Sequence, residues 1–563
     1  MFFAPSSIDN IEKNSILKKF LHKDVSLWSD NPEIQKKINN RLGWLDVKDK
    51  WYEWIEKSKI FINELINRKI KNLVLLGMGG SSLCPLMLRE INGIKDTYPQ
   101  LFVVDTTDPD EVAKIKELNP DDTFIIFASK SGSTIEPNTK FNYLWNYYLS
   151  VLNEKAHAHF GAITDPGSSL EKIATERKFN YIFLNPPDIG GRYSALSLFG
   201  LVPAVSIGID MDLFIQRAKE MLDDCLSQTE WLNNPGARLA DFLSENAVKN
   251  RDKLTILTDD KIKPFGLWLE QLLAESTGKE TRGIVPVIES STGIPGYYGS
   301  ERIFVYIRLK ETPAEQALND FIDELRKAHF PVYEIILNDI YDISGQFFLW
   351  EFATALSCVF LGVNPFDEPN VTLSKNKTKE VITILQEKGA LDVEFITDTS
   401  SQLNFRSSKM MSQSKSGLFR SLREIFQVLP QWGYLGFLPY LPYDSLIEDI
   451  INEMRDLSKR ERGFATVMGY GPRYLHSTGQ IYKGGPISSA FLIFTRAKDK
   501  NKEYPLIPDF NIDFWQLQLA QAIGDFEAMS DLNKRVIHIH LPEDYLEGLK
   551  TFSSVYSRAI MIV

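Results

Sequence analysis

TFIIFASKSGSTIEPNT, residues 123–139, decides how this chain folds. The apolar β-type run at 123–128 opens into a loop that holds Ser129, Lys130, Ser131, Gly132, Ser133 and Thr134. Glu136 and Pro137 then read as the first turn of a helix. A strand that passes through small hydroxylated residues into a helix N-terminus gathers free backbone N–H groups and the positive end of the helix dipole at one spot. Hydroxyls there donate to phosphate oxygens without crowding them. A serine-rich turn with an N-cap uses the same residue types, so this segment alone leaves both readings open.

A second segment repeats the pattern. The apolar run LVLL at 73–76 is followed by GMGGSSLCP at 77–85. Its glycines permit a tight turn and close approach of backbone to a ligand, with Ser81 and Ser82 at the start of the next helix. The dinucleotide spacing G-x-G-x-x-G is not met, and no Gly-Lys-Ser/Thr closes a P-loop. Two strand–loop–helix units that each end in hydroxyls point to one phosphate gripped from neighbouring strand ends.

From residue 71 to about 209, short β runs at 73–76, 102–105, 124–128, 161–164 and 181–184 alternate with helical patterns. That alternation predicts a parallel sheet with helices on both faces. Residues 211–250 read as connecting helices. A second alternating unit starts at LTILT, 254–258, with a helix at 265–276 and strands at 303–309 and 332–337. QFFLWEFATALSCVF, 346–360, reads as a buried helix too short and interrupted to span a membrane. The polar, Ser/Lys-rich stretch 398–417 reads as a linker or mobile loop. Beyond it, strands at 491–495 and 536–541 and helices at 445–460 and 513–528 make either a third α/β unit or an extension of the second sheet. The predicted fold is α/β: two doubly wound parallel-sheet domains plus a C-terminal α/β extension, divided as 1–240, 241–398 and 399–563.

At 563 residues the chain exceeds one hydrophobic core. A formal net charge of −11 argues against a nucleic-acid partner. The lysines at 57–71 alternate with apolar residues at helical spacing and form the solvated side of an amphipathic helix. Cys84, Cys225 and Cys358 lack metal-ligand spacing, which fits a reduced, cytoplasmic protein without a metal. No signal-peptide pattern or membrane span is expected.

These two loops, together with GGRYS at 190–194, ESTGK at 275–279 and GVNPFDEPNVTLSK at 362–375, resemble the phosphoglucose isomerase family. The C-terminal third, with GPRYLHSTGQIYKGGP at 471–486, is similar to the isomerase half of fused transaldolase/isomerase proteins. GGRYS and the NPFD…K block are highly specific to the family, whereas the Ser-rich loop is shared with many sugar-isomerase (SIS) domains, including regulatory ones, so the resemblance implies two SIS domains. It implies aldose–ketose isomerisation of glucose 6-phosphate and fructose 6-phosphate without a cofactor. A transaldolase barrel has no room before this chain's isomerase part, so no transaldolase activity is expected.

Such chemistry needs a base that also returns its proton, a fixed positive charge at the developing enediolate oxygen, and an acid/base pair to open the sugar ring. Glu275 ends a helical pattern, where the dipole disfavours a carboxylate, so its placement serves something other than helix stability. By resemblance it is the base, Arg192 stabilises the enediolate, and Gly191 contacts the sugar through its backbone. Lys375 stands at the family's ring-opening lysine; a solvated lysine in a Lys-rich stretch is the competing reading. Glu368 replaces the usual glutamine and Asn370 the usual glycine, and a carboxylate near phosphate needs a compensating cation. Ordinary members carry a catalytic histidine between base and lysine, supplied by the partner subunit. Here only His329 lies there, in RKAHFPV, whereas the family's His-x-x-x-Gln occurs as His476 and Gln480. His476 is therefore the expected catalytic histidine, from the same chain or across a dimer. His538 and His540 alternate with isoleucines and read as a structural sheet face.

The phosphate is assigned to Ser81, Ser129, Ser131 and Thr134, with Lys130 contributing its backbone. Glu136 is expected to order the loop through backbone N–H groups. The expected partner is a small sugar phosphate; monomer and homodimer both remain open. Two alternatives use the same loops: a non-catalytic sugar-phosphate sensor, and an isomerase that also accepts mannose 6-phosphate.

Overall fold

The computed structural model describes residues 2–289, 291–310, 316–389, 391, 393–411, 417–508 and 510–562. The first sheet contains β1 (Asn72–Leu76), β2 (Gln100–Val104), β3 (Thr123–Ala128), β4 (Phe160–Thr164) and β5 (Tyr181–Leu184), in the order β2-β1-β3-β4-β5. All its pairings are parallel. Every residue of β3 is buried, as strands covered by helices on both faces require. The order reverses between β1 and β3, and the register sets Leu76 opposite Phe127. The glycine-rich and hydroxyl-rich loops therefore leave the sheet side by side at its switch point, where open α/β sheets bind ligands.

The second sheet has β6 (Lys253–Thr258), β7 (Val285–Ile288), β8 (Arg302–Leu309) and β9 (Val332–Leu337), ordered β7-β6-β8-β9 and again all parallel. The periodicity of the sequence does not disclose β7. Its four residues include Pro286, which only an edge strand tolerates, and β7 is an edge.

The third sheet is separate, resolving the choice the sequence left open. It comprises β10 (Ile396–Thr397), β11 (Asn404–Ser407), β12 (Tyr434–Pro439), β13 (Ala465–Met468), β14 (Ser489–Arg496) and, after the small pair β15 (Leu506–Ile507) and β16 (Ile512–Asp513), β17 (Arg535–Leu541). The order is β10-β11-β17-β14-β12-β13. The stretch 398–417 is not simply a linker: β11 pairs antiparallel with β17, and Phe405 lies fully buried between polar neighbours. Its residues 412–416 lie outside the described residues. β12 was hidden because Gly436 interrupts its β pattern; a Cβ there would stand 2.6 Å from Phe491 on the adjacent strand.

One core runs from β1 through the helix Ile343–Leu361 to β6 and β8, so the first two sheets share it. The third sheet has its own core on one face. Its other face packs on Ala274, Val285 and Val287 of the second unit. Ile340–Leu361 is long and apolar enough to cross a membrane, yet it is wholly enclosed in this core.

Glu351 on that helix is 1 % exposed, and its Oε1 has no hydrogen-bond partner among the described residues. Burial alone pushes its pKa well above the carboxylate range, so the folded state keeps it protonated. The unfolded chain releases that proton once pH passes the ordinary value of 4.5. Stability from this site is thus complete below that pH and declines as pH rises toward the folded value. Glu351→Gln is expected to melt above the unsubstituted protein at pH 8, with the gap closing toward pH 4 in thermal denaturation.

Candidate active site

Segments from all three units meet at the cleft. The first-sheet loops carry the candidate phosphate ligands. Thr134 occupies the N-cap of the helix Ile135–Leu152, yet its side chain makes no cap bond. Its hydroxyl stays available at a helix N-terminus. Ser129 Oγ accepts from Gly132 N–H at 3.1 Å, which leaves its proton to donate outward. Ser131 and Ser133 share a hydroxyl contact of 2.8 Å. Ser81 Oγ closes its own turn through Met78 N–H at 3.0 Å. The Lys130 ammonium turns aside to Asp165 and the Pro187 carbonyl, so only its backbone faces the cleft.

The glycines of 77–80 serve packing of protein on protein. A Cβ on Gly80 would lie 2.0 Å from the Gly191 carbonyl oxygen, and one on Gly79 (φ +57) 2.5 Å from that of His476. The loop is pinned between the Arg192 turn and the His476 turn, closer than any side chain permits.

Glu275 lies one turn from the end of the helix Phe265–Thr277 and is 8 % exposed. Its Oε1 is 3.2 Å from Arg192 Nη1. Its Oε2 accepts from Gln271 Nε2 at 3.1 Å, and the same amide donates to the His476 carbonyl at 3.1 Å. Gln271 therefore couples the Glu275 helix to the His476 loop. Spacing alone, four residues before Glu275 on one helix face, could have nominated it. Burial raises the Glu275 pKa, Arg192 pulls it back, and Glu368 pushes it up again, leaving it above the ordinary value.

Arg192 is 5 % exposed and fully engaged. Nε and Nη2 donate to the Pro365 carbonyl at 3.1 and 2.7 Å, and Nη2 to the Asp367 carbonyl at 3.0 Å. Nη1 faces Glu275 and, at 3.3 Å, Glu368 Oε2. Burial opposes its charge, but these carboxylates hold its pKa above the ordinary value. The cation compensating Glu368 is thus Arg192, on the sugar side of the cleft. Lys375 is exposed on the helix Pro369–Lys388, and no described residue pairs with it.

His476 comes from this same chain, in the loop between β13 and β14. Its Nε2 lies 2.9 Å from Glu136 Oε1. That oxygen also accepts from Gln521 Nε2 at 2.7 Å. Glu136 thus orients the imidazole and, apart from its own N–H, does not order the phosphate loop as the sequence suggested. Burial opposes ionisation of Glu136, but His476 outweighs it and the pKa is lowered. Gln480 holds the loop's far side, accepting from Asn370 N–H at 2.9 Å and donating to Asn370 Oδ1 at 2.7 Å and the Gly278 carbonyl at 2.8 Å. The asparagine at 370 therefore has a structural partner. His329 sits between a helix and β9 with φ +63 and lines none of these cavities. His538 is buried in β17 against Thr495 Oγ1 at 2.8 Å.

A cavity of ≈ 110 Å³ rests on Ser81, Ser129, Lys130, Ser131, Thr134 and Gly191. One of ≈ 180 Å³ rests on Arg192, Gln271, Glu275, Glu368 and Lys375. Gly80, Lys130, Gly191 and His476 line both, so they form one cleft with hydroxyls at one end and Glu275 at the other. A larger cavity of ≈ 600 Å³ lies elsewhere and contains none of Glu275, Arg192, Lys375 or His476, so size does not locate the chemistry. Among the described residues no His/Cys/Asp/Glu group could hold a metal.

Gly80→Ala is expected to lower stability by about 1–3 kcal/mol, as overpacking does. It should also speed amide exchange at residues 190–194. Gly296→Ala, with nothing within 4 Å of its Cβ, should change neither.

Residues 27–301 match the family model described as phosphoglucose isomerase. A probable glucose-6-phosphate isomerase of Methanococcus maripaludis is 28% identical over 396 residues, covering 62% of this chain and 86% of the relative. A glucose-6-phosphate isomerase of Prochlorococcus marinus is 24% identical over 484 residues, covering 77% and 89%. Among solved structures, a glucose-6-phosphate isomerase of Chlamydia trachomatis superposes with TM-score 0.51 at 19% identity, over 60% of this chain and 74% of that one. A hypothetical protein of Thermus thermophilus reaches 0.56 at 21%, over 66% and 96%. These likenesses carry the fold. The family match across residues 27–301 shows what that span is similar to, the phosphoglucose isomerase family.

Proposed function

We propose that the protein interconverts glucose 6-phosphate and fructose 6-phosphate, and that the single cleft performs every step. The carrying observation is that Glu275, Arg192, Lys375 and His476 line one cavity that runs on into the hydroxyl-rich loop. A sensor needs the hydroxyl end alone; a buried carboxylate against a buried guanidinium serves proton transfer.

The phosphate rests on Ser129, Ser131, Thr134 and backbone N–H groups at the helix N-terminus, with Ser81 beside them. Its position sends C1 and C2 toward Glu275. His476 and Lys375 act on the ring: one gives a proton to the ring oxygen while the other takes the anomeric hydroxyl proton, and the C1–O5 bond breaks. The Glu136 carboxylate fixes the Nε2–H tautomer of His476, leaving Nδ1 to exchange the proton. Glu275 removes the C2 proton. The electron pair moves into the C1–C2 double bond, and the carbonyl oxygen takes up the charge facing Arg192. A proton passes from the C2 hydroxyl to the neighbouring C1 oxygen, Glu275 returns its proton to C1 as the C2 carbonyl forms, and the ketose closes. The raised pKa of Glu275 makes it a stronger base than a solvated glutamate.

Glu275→Gln is expected to bind fructose 6-phosphate with affinity within about threefold, while kcat falls by roughly 10²–10⁴. Calorimetry and a coupled assay measure both. Equal residual turnover in both forms would favour a binding protein. His476→Ala should slow the cyclic substrate far more than the open-chain form, and His329→Ala should slow neither.

A further inference from the structure

Glu368 stands where the resemblance leads one to expect glutamine, and it is not idle. Its Oε2 lies 3.3 Å from Arg192 Nη1, the nitrogen that also contacts Glu275 Oε1 at 3.2 Å. Two carboxylates therefore share one guanidinium edge. They differ in surroundings. The Glu275 side chain is 11 % exposed, whereas that of Glu368 is 48 % exposed and precedes the helix Pro369–Lys388 without a side-chain cap bond. Arg192 has no donor to spare, because Nε and Nη2 are spent on the Pro365 and Asp367 carbonyls.

We propose that Glu368 is a positioning residue that competes with Glu275 for the Arg192 guanidinium and thereby sets the pH at which Glu275 becomes a competent base. The inference rests on the isomerase reading and deepens it. A neutral glutamine of the same shape would leave Arg192 to Glu275 alone and remove a like charge from the base.

The other groups around Glu275 do not supply this effect. Gln271, on its own helix, is neutral. Lys279 is committed to the Ser276 and Asn364 carbonyls and, at 3.1 Å, to Asp367. His476 faces Glu136. Lys375 lines the same cavity but is exposed. Asp367 is paired with Lys279, so Glu368 is the carboxylate that reaches the Arg192 edge. Consistent with this geometry, Glu368 acts to raise the Glu275 pKa and Arg192 to lower it.

The test compares the unsubstituted enzyme with Glu368→Gln in the pH dependence of kcat/KM for fructose 6-phosphate. The acid limb should move to lower pH in the variant, giving severalfold higher kcat/KM at the acid end relative to its own plateau, with KM at pH 8 within about threefold. An acid limb that stays in place, or an effect confined to KM, would overturn the proposal and leave Glu368 an ordinary substrate contact. Binding of 6-phosphogluconate followed by calorimetry across the same pH range gives a second readout independent of turnover. Its carboxylate end meets Glu275, so the midpoint of the affinity profile should also fall in Glu368→Gln, and an unchanged midpoint would count against the competition. Absence of isomerase activity in the unsubstituted enzyme would instead sink the isomerase reading, and the binding midpoint would still decide whether the two carboxylates compete. Melting temperatures of both forms exclude misfolding as the cause.

Discussion

The cleft exists because Arg473 is bound to Asp105. Asp105 leaves the carboxyl end of β2 with no exposed side chain, and Arg473 Nε and Nη2 each reach it at 2.8 Å. Tyr443 Oη donates to the same carboxylate at 3.0 Å. Burial drives the Asp105 pKa up, and Arg473 and Lys140 more than reverse it. Only Tyr474 and Leu475 separate Arg473 from His476, so this pair seats the histidine loop of the third sheet over the first. A buried pair of this kind contributes little against an apolar alternative, but losing one partner strands a charge at a cost of about 3–5 kcal/mol. Its use here is registry: the loop has one place to sit. At the end of β14, Arg496 extends the seam to Asp108 at 3.1 Å and Asp110 at 2.8 Å.

With the loop seated, the remaining polar atoms are committed in a chain. Gln521 ties Glu136 to Thr107, Glu136 orients His476, Gln271 joins the His476 carbonyl to Glu275, and Glu275 meets Arg192. Lys279 holds the end of the base's helix to the 364–367 loop on which Arg192 rests. The result is electrostatic preorganisation: the charges that act on the substrate are fixed by protein before it arrives. The price is that Arg192 has no free donor until a carboxylate gives way.

Much of this was legible in the residues. The strand–loop–helix units at 73–85 and 123–139 announced a parallel sheet, because fully buried strands read as unbroken apolar runs. Glu275 stood out because a carboxylate at a helix C-terminus opposes the dipole, and His476 because no other histidine had glutamine at the right spacing. What could not be read was whatever depends on distant partners. Asp105 ends a strand like many aspartates, and Arg473 sits in a turn; only the fold makes them neighbours across 368 positions. The glycines of 77–80 looked like a ligand cradle, but their absent Cβ atoms make room for the Gly191 and His476 backbones. Glu136 lay beside the phosphate loop in sequence, yet its carboxylate turns toward the third sheet. β11 and β12 escaped because a polar four-residue strand and one interrupted by glycine lack the period that betrays longer elements.

This distribution of burial also says which parts of the site are free to respond to a substrate. Asp105, Glu136, Arg192 and Glu275 are all nearly enclosed. Separating the third unit from the first would expose several buried ion pairs at once, each costly to break. Opening of the cleft by swinging that unit away is therefore the least favourable route. Lys375 and Glu368 are different, since both are solvent-exposed on or beside one helix; Lys375 has no ion-pair partner among the described residues, and Glu368 is held by Arg192 Nη1 at 3.3 Å. A sugar entering from that side meets Lys375, which reorients at the cost of rotamer entropy alone, of order 1–2 kcal/mol, and Glu368, which must also release Arg192. The rigid wall thus carries Glu275 and His476, and the soft wall carries Lys375 and Glu368.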